Sequence, residues 1–159
     1  MLYFKSILDQ LVEPGNVNIS VPEFFNFGFD VIDAWAAKEN ITAFVSVDRT
    51  ATAIEYHSFA ELSHASNRFA NALQTLDVEK GAFAIIILPR VPAWYEVVIG
   101  CIKAGVVAMP GTNLLTAKDI EYRINHSAAN LAIVSYEHVS KIESIRARCP
   151  SLRYLILVG

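Results

Sequence analysis

The chain has 159 residues, enough for one domain with a sizeable core. Aspartate and glutamate outnumber lysine and arginine by 16 to 13, and no basic stripe is present, which argues against nucleic acid as a partner. Hydrophobic residues make up 53% of the chain, yet no apolar run is long enough to span a membrane, because the longest candidate, 91–110, contains Glu96 and Lys103.

Residues 1–24 are predicted to form a short helix and a linker that precede the main domain. The first 16 residues lack the basic start and long apolar centre of a signal peptide, and the arginine-rich character of a transit peptide. The sequence therefore predicts a cytoplasmic protein. A polar stretch with proline and glycine, 13–22, follows the short helix, so the domain itself is predicted to occupy residues 25–159.

The domain is predicted to begin with a helix over 30–39, followed by a β-hairpin. The apolar residues of the helix fall on one face. Two stretches of alternating polarity then flank the turn residues 48–50, which is typical of a hairpin. One side of the hairpin carries the apolar residues Ala43, Val45, Val47, Ile54 and Tyr56. Phe44 is the exception on the polar side, so both sides are predicted to be partly covered.

Alternating helices and strands follow the hairpin. Ser58 and Glu61 form a capping box that predicts the start of a helix ending near Asp77, and Thr116 and Asp119 form a second one. Pro92 suits the first turn of a further helix. The predicted elements after residue 81 are strand 84–88, the helix from Pro92, strand 106–109, helix 116–127, strand 131–135, helix 137–148 and strand 154–158.

This order of elements predicts an α/β fold. Strands joined through helices by short connections favour a mostly parallel sheet with helices on its faces, beside the small hairpin. The apolar run 84–88 is typical of a strand buried on both faces. The helix from Pro92 carries an apolar stripe, and we expect Trp94 on that stripe to be buried. The last strand is followed by Gly159 without a closing helix, which predicts an incomplete sheet.

No residue pattern in the chain indicates catalysis. Gly100 and Gly105 have the spacing of a phosphate-binding loop, but valines follow where such a loop has lysine and serine or threonine, so helix packing is the better interpretation. The histidines lack metal-ligand spacing, and both cysteines are predicted to be reduced and buried. Asp30 and Asp33 fit solvated helix faces or N-terminal turns better than acid–base catalysis.

The remaining candidate for a site is the Pro-Gly loop over 110–115. Ligands bind outside the carboxyl ends of the strands in open α/β sheets, and this loop directly follows a predicted strand. A tight turn into a capped helix is the alternative interpretation of the same residues.

The segment 88–112, LPRVPAWYEVVIGCIKAGVVAMPGT, resembles the AMP-forming acyl-CoA synthetases of the adenylate-forming superfamily, closest to their medium-chain branch. Further matching stretches at 25–36, 56–73 and 118–134 occur in the family's order, so the resemblance covers nearly the whole chain from Phe25. It implies that the chain is the incomplete N-terminal part of the large domain of such an enzyme. The family's phosphate loop and catalytic lysine do not occur in this sequence, so no catalytic residue is carried over.

The resemblance implies a parent enzyme that joins a carboxylic acid to coenzyme A through an acyl-adenylate, with ATP and Mg²⁺. This chain would supply scaffold, hold no cofactor by itself, be inactive alone, and have the remainder of the synthetase as its partner. In the medium-chain branch a polar residue two positions after Pro-Gly-Thr can approach coenzyme A. The matching residue is Leu114, which cannot hydrogen-bond through its side chain, and Thr112 and Leu114 are the candidate residues on the coenzyme A side.

Two alternatives to the ligase fragment stay open. One is a stand-alone, non-catalytic interaction domain derived from such an enzyme. The other is a small flavodoxin-like binding protein, although the lack of a Gly- or Ser-rich phosphate loop argues against it. The high apolar content and the uncovered last strand, 154–158, further predict that the isolated chain self-associates.

Overall fold

The computed structural model describes residues 22–39, 41–48 and 50–159. The predicted N-terminal helix and most of the linker thus lie outside the described residues. The elements, in chain order, are α1 (a π-helical stretch, Phe27–Asp33, continuing as Ala34–Ala36), β1 (Thr42–Val47), β2 (Ile54–Ser58), α2 (Phe59–Thr75), β3 (Phe83–Ile87), α3 (Pro92–Lys103), β4 (Val107–Pro110), α4 (Ala117–Ser127), β5 (Leu131–Ser135), α5 (Val139–Ile145) and β6 (Tyr154–Val158).

Four strands form a parallel sheet in the order β4-β3-β5-β6, and β1 and β2 form a separate antiparallel pair. The predicted α/β architecture with a small hairpin is therefore confirmed. Because all four strands run the same way, their carboxyl ends meet at one edge of the sheet. The bounds of β3 and β4 differ from the prediction by one residue. Hydrogen-bonded pairing between the strands, rather than hydropathy, determines where each strand begins and ends.

The core lies on both faces of the sheet. Successive side chains of a strand point to opposite faces, so Ile85 and Ile87 of β3 pack with α4 and α5, while Ala84 and Ile86 pack with α2 and α3. Burial on both faces explains the continuous apolar run in β3, and it confirms the expectation for that strand. Within the described residues, every helix is too short or too polar to cross a bilayer.

Helix α1 begins earlier and ends earlier than the predicted range of 30–39. Asn26 caps its first turn, because its side-chain oxygen accepts a hydrogen bond from the backbone N–H of Gly28 at 2.9 Å. The Nδ2 group of Asn26 also donates to the carbonyl of Ile102 at 2.8 Å, at the end of α3. The start of α1 is thus decided by a contact with a helix far along the chain.

The hairpin packs on the side that the sequence marks as polar. Phe44 stacks on Tyr95 of α3, with ring centroids 4.6 Å apart, and on His57 at 4.5 Å. A bulge at Ala43 places this residue beside Phe44 against the core of α1, α2 and α3. The opposite side of the hairpin is exposed, and its side chains are Val45, Val47, Ile54 and Tyr56. The expectation that both sides are partly covered is therefore wrong for this alternating apolar side.

Both predicted capping boxes are present, at the starts of α2 and α4. Gly100 permits the close approach of α3 to α2, since a Cβ there would lie 2.9 Å from the carbonyl oxygen of Ser66. Gly105 lies just after α3 with a φ of +71°, which is typical of a glycine that ends a helix. The helix-packing interpretation is thus confirmed for Gly100, whereas Gly105 terminates its helix. The predicted helix 137–148 is a short α-helix flanked by 3-10 turns.

Candidate functional site

A groove of about 480 Å³ opens at the carboxyl edge of the sheet, between the loops that follow β3 and β4. Both loops extend beyond strands that pair side by side, so they form the two walls of one cleft. Open α/β sheets bind ligands outside the carboxyl ends of their strands. The lining residues are Leu88, Pro89, Arg90, Trp94, Tyr95, Pro110, Gly111, Thr112 and Asn113.

The first wall combines the loop after β3 with the first turn of α3. Val91 caps this helix in an extended conformation, and the N–H of Trp94 donates to its carbonyl at 2.9 Å. Trp94 and Tyr95 contact each other edge to face, with centroids 5.1 Å apart. Trp94 packs partly against the core and partly lines the groove, so the expectation that it is buried is wrong. Because Trp94 lies in the first turn of α3, its ring remains at the groove.

The second wall is the Pro-Gly loop. The N–H of Gly111 donates to the carbonyl of Ile86 at 2.8 Å, which continues the β3–β4 pairing beyond the strand. A Cβ atom at Gly111 would lie 2.7 Å from Cδ1 of Leu115, a side chain that is buried in the core. A larger residue at this position would have to displace Leu115, because the loop folds back tightly on that side chain. The N–H of Leu115 donates to the carbonyl of Thr112 at 3.2 Å.

The polar groups of the groove suit an anionic ligand with hydrogen-bonding groups. In the described part of the chain, no carboxylate forms an ion pair with the guanidinium of Arg90. The Oδ1 atom of Asn113 is buried and accepts no hydrogen bond from the described residues. Thr112 adds an exposed hydroxyl group. A cation, an amide acceptor and a hydroxyl beside two aromatic rings are binding groups.

Of the two predicted site residues, only Thr112 lines the groove. Thr112 lines the groove, and its Oγ1 accepts a hydrogen bond from the N–H of Leu114 at 3.3 Å. The side chain of Leu114 is 86% exposed and lies outside the lining. For both residues a contact with coenzyme A stays a prediction. The predicted loop contains Asn113 without singling it out, and sequence reasoning missed Arg90, although the rule that indicated the Pro-Gly loop applies equally to the loop after β3.

The cysteines lie away from the groove. Cys101 and Cys149 are free and buried, as predicted. Burial raises the pKa of the Cys101 thiol to about 12 and also raises the pKa of Cys149. Neither thiol is thus prepared to act as a nucleophile at neutral pH. Among the described residues, no group of three or more His, Cys, Asp or Glu side chains is placed to hold a metal ion.

The fold and the groove define an α/β domain with a ligand cleft at the carboxyl edge of a parallel sheet. The model of the family described as AMP-binding enzyme matches residues 32–158. The chain therefore belongs to this family, and the resemblance seen in the sequence is confirmed.

Relatives of known function agree with this assignment. The chain is 35% identical over 148 residues to acyl-coenzyme A synthetase ACSM3, mitochondrial, from Homo sapiens, covering 89% of this chain and 25% of that protein. It is 38% identical over 149 residues to human ACSM4, with 89% and 26% covered. The anthranilate CoA ligase AuaEII, solved with anthranoyl-AMP, superimposes with a TM-score of 0.76 at 26% identity, over 87% of this chain and 26% of that one.

The chain spans about a quarter of the length of these curated relatives. The names of both relatives include the word mitochondrial, and this location is a property of those two proteins. The cytoplasmic location expected for this chain stays a prediction.

Proposed function

We propose that residues 25–159 are the N-terminal part of the large domain of an AMP-forming acid–CoA ligase, preceded by a helix and linker over 1–24. The complete ligase would convert a carboxylate, ATP and coenzyme A into acyl-CoA, AMP and pyrophosphate through an acyl-adenylate. Membership of the AMP-binding enzyme family supports this proposal. The observation that carries it is the groove at the carboxyl edge, where no carboxylate of the described residues pairs with Arg90 and the Oδ1 of Asn113 is a buried acceptor.

The groove residues fit part of coenzyme A. Arg90 is suited to a phosphate group, because guanidinium groups bind phosphate oxygens through several hydrogen bonds. The buried Oδ1 of Asn113 can accept a hydrogen bond from an amide N–H, and coenzyme A carries amide groups along its pantetheine arm. When coenzyme A is bound, its thiol accepts the acyl group. We propose that Arg90, Thr112 and Asn113 bind and orient this substrate, and that the adjoining Leu114 contributes apolar contact.

The complete protein that carries this chain tests the proposed function. We expect it to release AMP in the presence of ATP, Mg²⁺, coenzyme A and a suitable carboxylic acid, whereas the 159-residue chain alone should release none above a no-acid control. Steady AMP release by the chain alone would contradict its role as scaffold. A complete protein that forms neither acyl-adenylate nor acyl-CoA with any acid of a broad panel would contradict the ligase assignment.

A substitution at Arg90 tests the groove itself. In the complete protein, Arg90→Ala should raise the KM for coenzyme A by about 10- to 150-fold, because a charge-assisted contact is worth about 1.5–3 kcal/mol. The KM for ATP should stay near wild type. Arg123→Ala is the matched control, since Arg123 is an exposed arginine on α4 outside the groove. An unchanged KM for coenzyme A in Arg90→Ala would show that the groove serves another ligand.

We also propose that the remainder of the synthetase covers the exposed apolar residues of this chain, and that the isolated chain self-associates through them. These residues include Phe24, Phe25, Val47, Ile54 and Tyr56. Large exposed apolar patches are typical of surfaces that contact further protein. Light scattering over a dilution series measures the effect. A monodisperse monomer at high concentration would instead favour a stand-alone interaction domain.

A further inference from the structure

A lysine of another helix, α5, contacts the backbone carbonyls of the Pro-Gly loop. Lys141, in the first turn of α5, donates from Nζ to the carbonyl oxygen of Leu115 at 2.8 Å and lies 3.4 Å from that of Asn113. The lysine is half-buried. Helix α5 follows β5, the neighbour of β3 on the side away from the loop. The lysine thus ties the second half of the loop to an element on the other side of β3.

The packing around Lys141 favours a fixed position for these hydrogen bonds. Leu115 and Ile142 lie in the same buried cluster, so the apolar contacts of the loop and of α5 place the ammonium group next to the loop carbonyls. In the described part of the chain, Lys141 makes no ion pair with a carboxylate. Its hydrogen-bonding capacity is therefore directed at the loop backbone, whose carbonyl oxygens are good acceptors for an ammonium group.

Backbone hydrogen bonds also hold the loop, from Gly111 to β3 and from Leu115 to Thr112. The hydrogen bond of Gly111 to Ile86 anchors the start of the loop on β3, and a Cβ atom at Gly111 would lie 2.7 Å from Leu115. Between these points, the N–H of Leu114 makes a long hydrogen bond, 3.3 Å, to the hydroxyl of Thr112. Asn113 lines the groove, so its position in the wall depends on how its own carbonyl and that of Leu115 are held.

We propose that Lys141 is a positioning residue for the ligand groove. Its ammonium group fixes the carbonyls of Asn113 and Leu115, and so keeps the amide of Asn113 and the hydroxyl of Thr112 directed at the ligand. Lys141 does not line the groove and acts through the loop. This inference rests on the proposed function, since coenzyme A is the ligand whose binding the loop would support.

The first test measures the loop directly, by hydrogen exchange in the complete protein. Lys141→Met removes the donor and keeps the length of the side chain. We expect amide exchange in the segment 111–116 to become about tenfold faster, which corresponds to about 1.4 kcal/mol, while the segment 83–88 of β3 is unchanged. Lys141→Arg keeps a donor and should restore most of the protection. Lys118→Met is the matched control, because Lys118 is an exposed lysine on α4.

The second test measures how the loop affects the binding of coenzyme A. Lys141→Met should raise the KM for coenzyme A by about tenfold and leave kcat within about twofold, because a displaced binding group weakens binding without touching the reacting atoms. Lys141→Arg should recover the KM, and Lys118→Met should behave as wild type.

The outcomes separate this inference from the proposed function. Exchange that is unchanged in Lys141→Met, or faster equally in both segments, would overturn the positioning role whether or not the protein is a ligase. Faster loop exchange with an unchanged KM for coenzyme A would overturn it as well, while AMP formation would leave the ligase assignment standing. A complete protein without ligase activity would contradict the proposed function, and hydrogen exchange would still decide whether Lys141 holds the loop.

Discussion

Lys103 Nζ lies 2.6 Å from Oδ1 of Asp33, so the last turn of α3 is joined to α1 by an ion pair. The same ammonium group donates to Oδ1 of Asn67 at 2.8 Å, and the hydroxyl of Ser63 donates to Asp33 at 2.6 Å. The lysine side chain is 1% exposed. The expectation of a solvated helix face holds only in part for Asp33, because this carboxylate is about a third exposed and compensates a buried cation.

We expect Lys103→Met to lower the free energy of unfolding by roughly 3 kcal/mol, at the lower end for a broken buried pair because Asp33 is about a third exposed. Urea denaturation measures the loss. The double variant Lys103→Met/Asp33→Leu should recover part of it, since it leaves no unpaired charge. If the single variant loses no more stability than Lys118→Met on the exposed side of α4, the ion pair contributes little.

The hairpin orientation is testable with two neighbouring residues. Phe44→Ala removes the stacking on Tyr95 and His57 and should cost about 2 kcal/mol, whereas Val45→Ala on the exposed side should cost less than about 0.5 kcal/mol. Thermal or urea unfolding of both variants distinguishes the two sides. The reverse order of losses would mean that the alternating apolar side packs inward, as in an ordinary one-sided hairpin.

Alanine substitutions at Trp94 and Ile133 compare the stability contribution of a residue in the groove wall with that of a residue in the core. Trp94→Ala should cost about 2 kcal/mol because the ring is only partly buried, and Ile133→Ala should cost about 3–4 kcal/mol because that side chain is fully buried beneath α2 and α3. Tryptophan fluorescence should also respond to ligands in the groove. A loss at Trp94 well above that at Ile133 would place the ring inside the core.

Gly100 marks the closest approach of α2 and α3. Ala is the better helix former, yet Gly100→Ala should destabilise the chain by about 2 kcal/mol, because the new Cβ would lie 2.9 Å from both the Ser66 carbonyl and the ring of Phe69. Denaturant unfolding gives the sign of the change. A gain in stability would indicate that the two helices can separate without loss of packing.

Because of His138, we expect the folded chain to lose stability in mild acid. Its ring is 4% exposed, and burial, followed by the positive charge of Lys141, lowers its pKa below the usual 6.5, while Glu137 opposes the shift. The unfolded chain therefore binds the proton more readily than the folded one. The stabilising effect of neutral His138 is complete above pH 6.5 and is lost as the pH falls from 6.5 toward the lower folded pKa.

Urea midpoints over this pH range check the prediction, with His138→Gln expected to show a flatter decline than wild type. His126→Gln is the matched control, because His126 is an exposed histidine on α4. Equal pH profiles for wild type and His138→Gln would rule out His138 as the source.

Local patterns in the sequence were sufficient for the order and type of most elements and for the family. The capping boxes Ser58–Glu61 and Thr116–Asp119 formed as predicted, because their partners lie three residues apart and need no tertiary contact. The parallel sheet followed from the alternation of apolar runs with helical periodicity. The Pro-Gly loop followed from its place after a strand, since the carboxyl edge of a parallel sheet collects the loops that bind ligands.

Tertiary structure decided the features that depend on distant partners. The inward side of the hairpin was set by the stacking of Phe44 on Tyr95, which outweighs the alternation of the smaller residues. The buried ammonium group of Lys103 pairs with Asp33, 70 residues earlier, and Lys141 donates a hydrogen bond to the carbonyl of Leu115, 26 residues earlier. Periodicity records which side of an element is apolar. It does not record which charges and rings meet once the helices pack, because those contacts depend on the packing geometry of the whole fold.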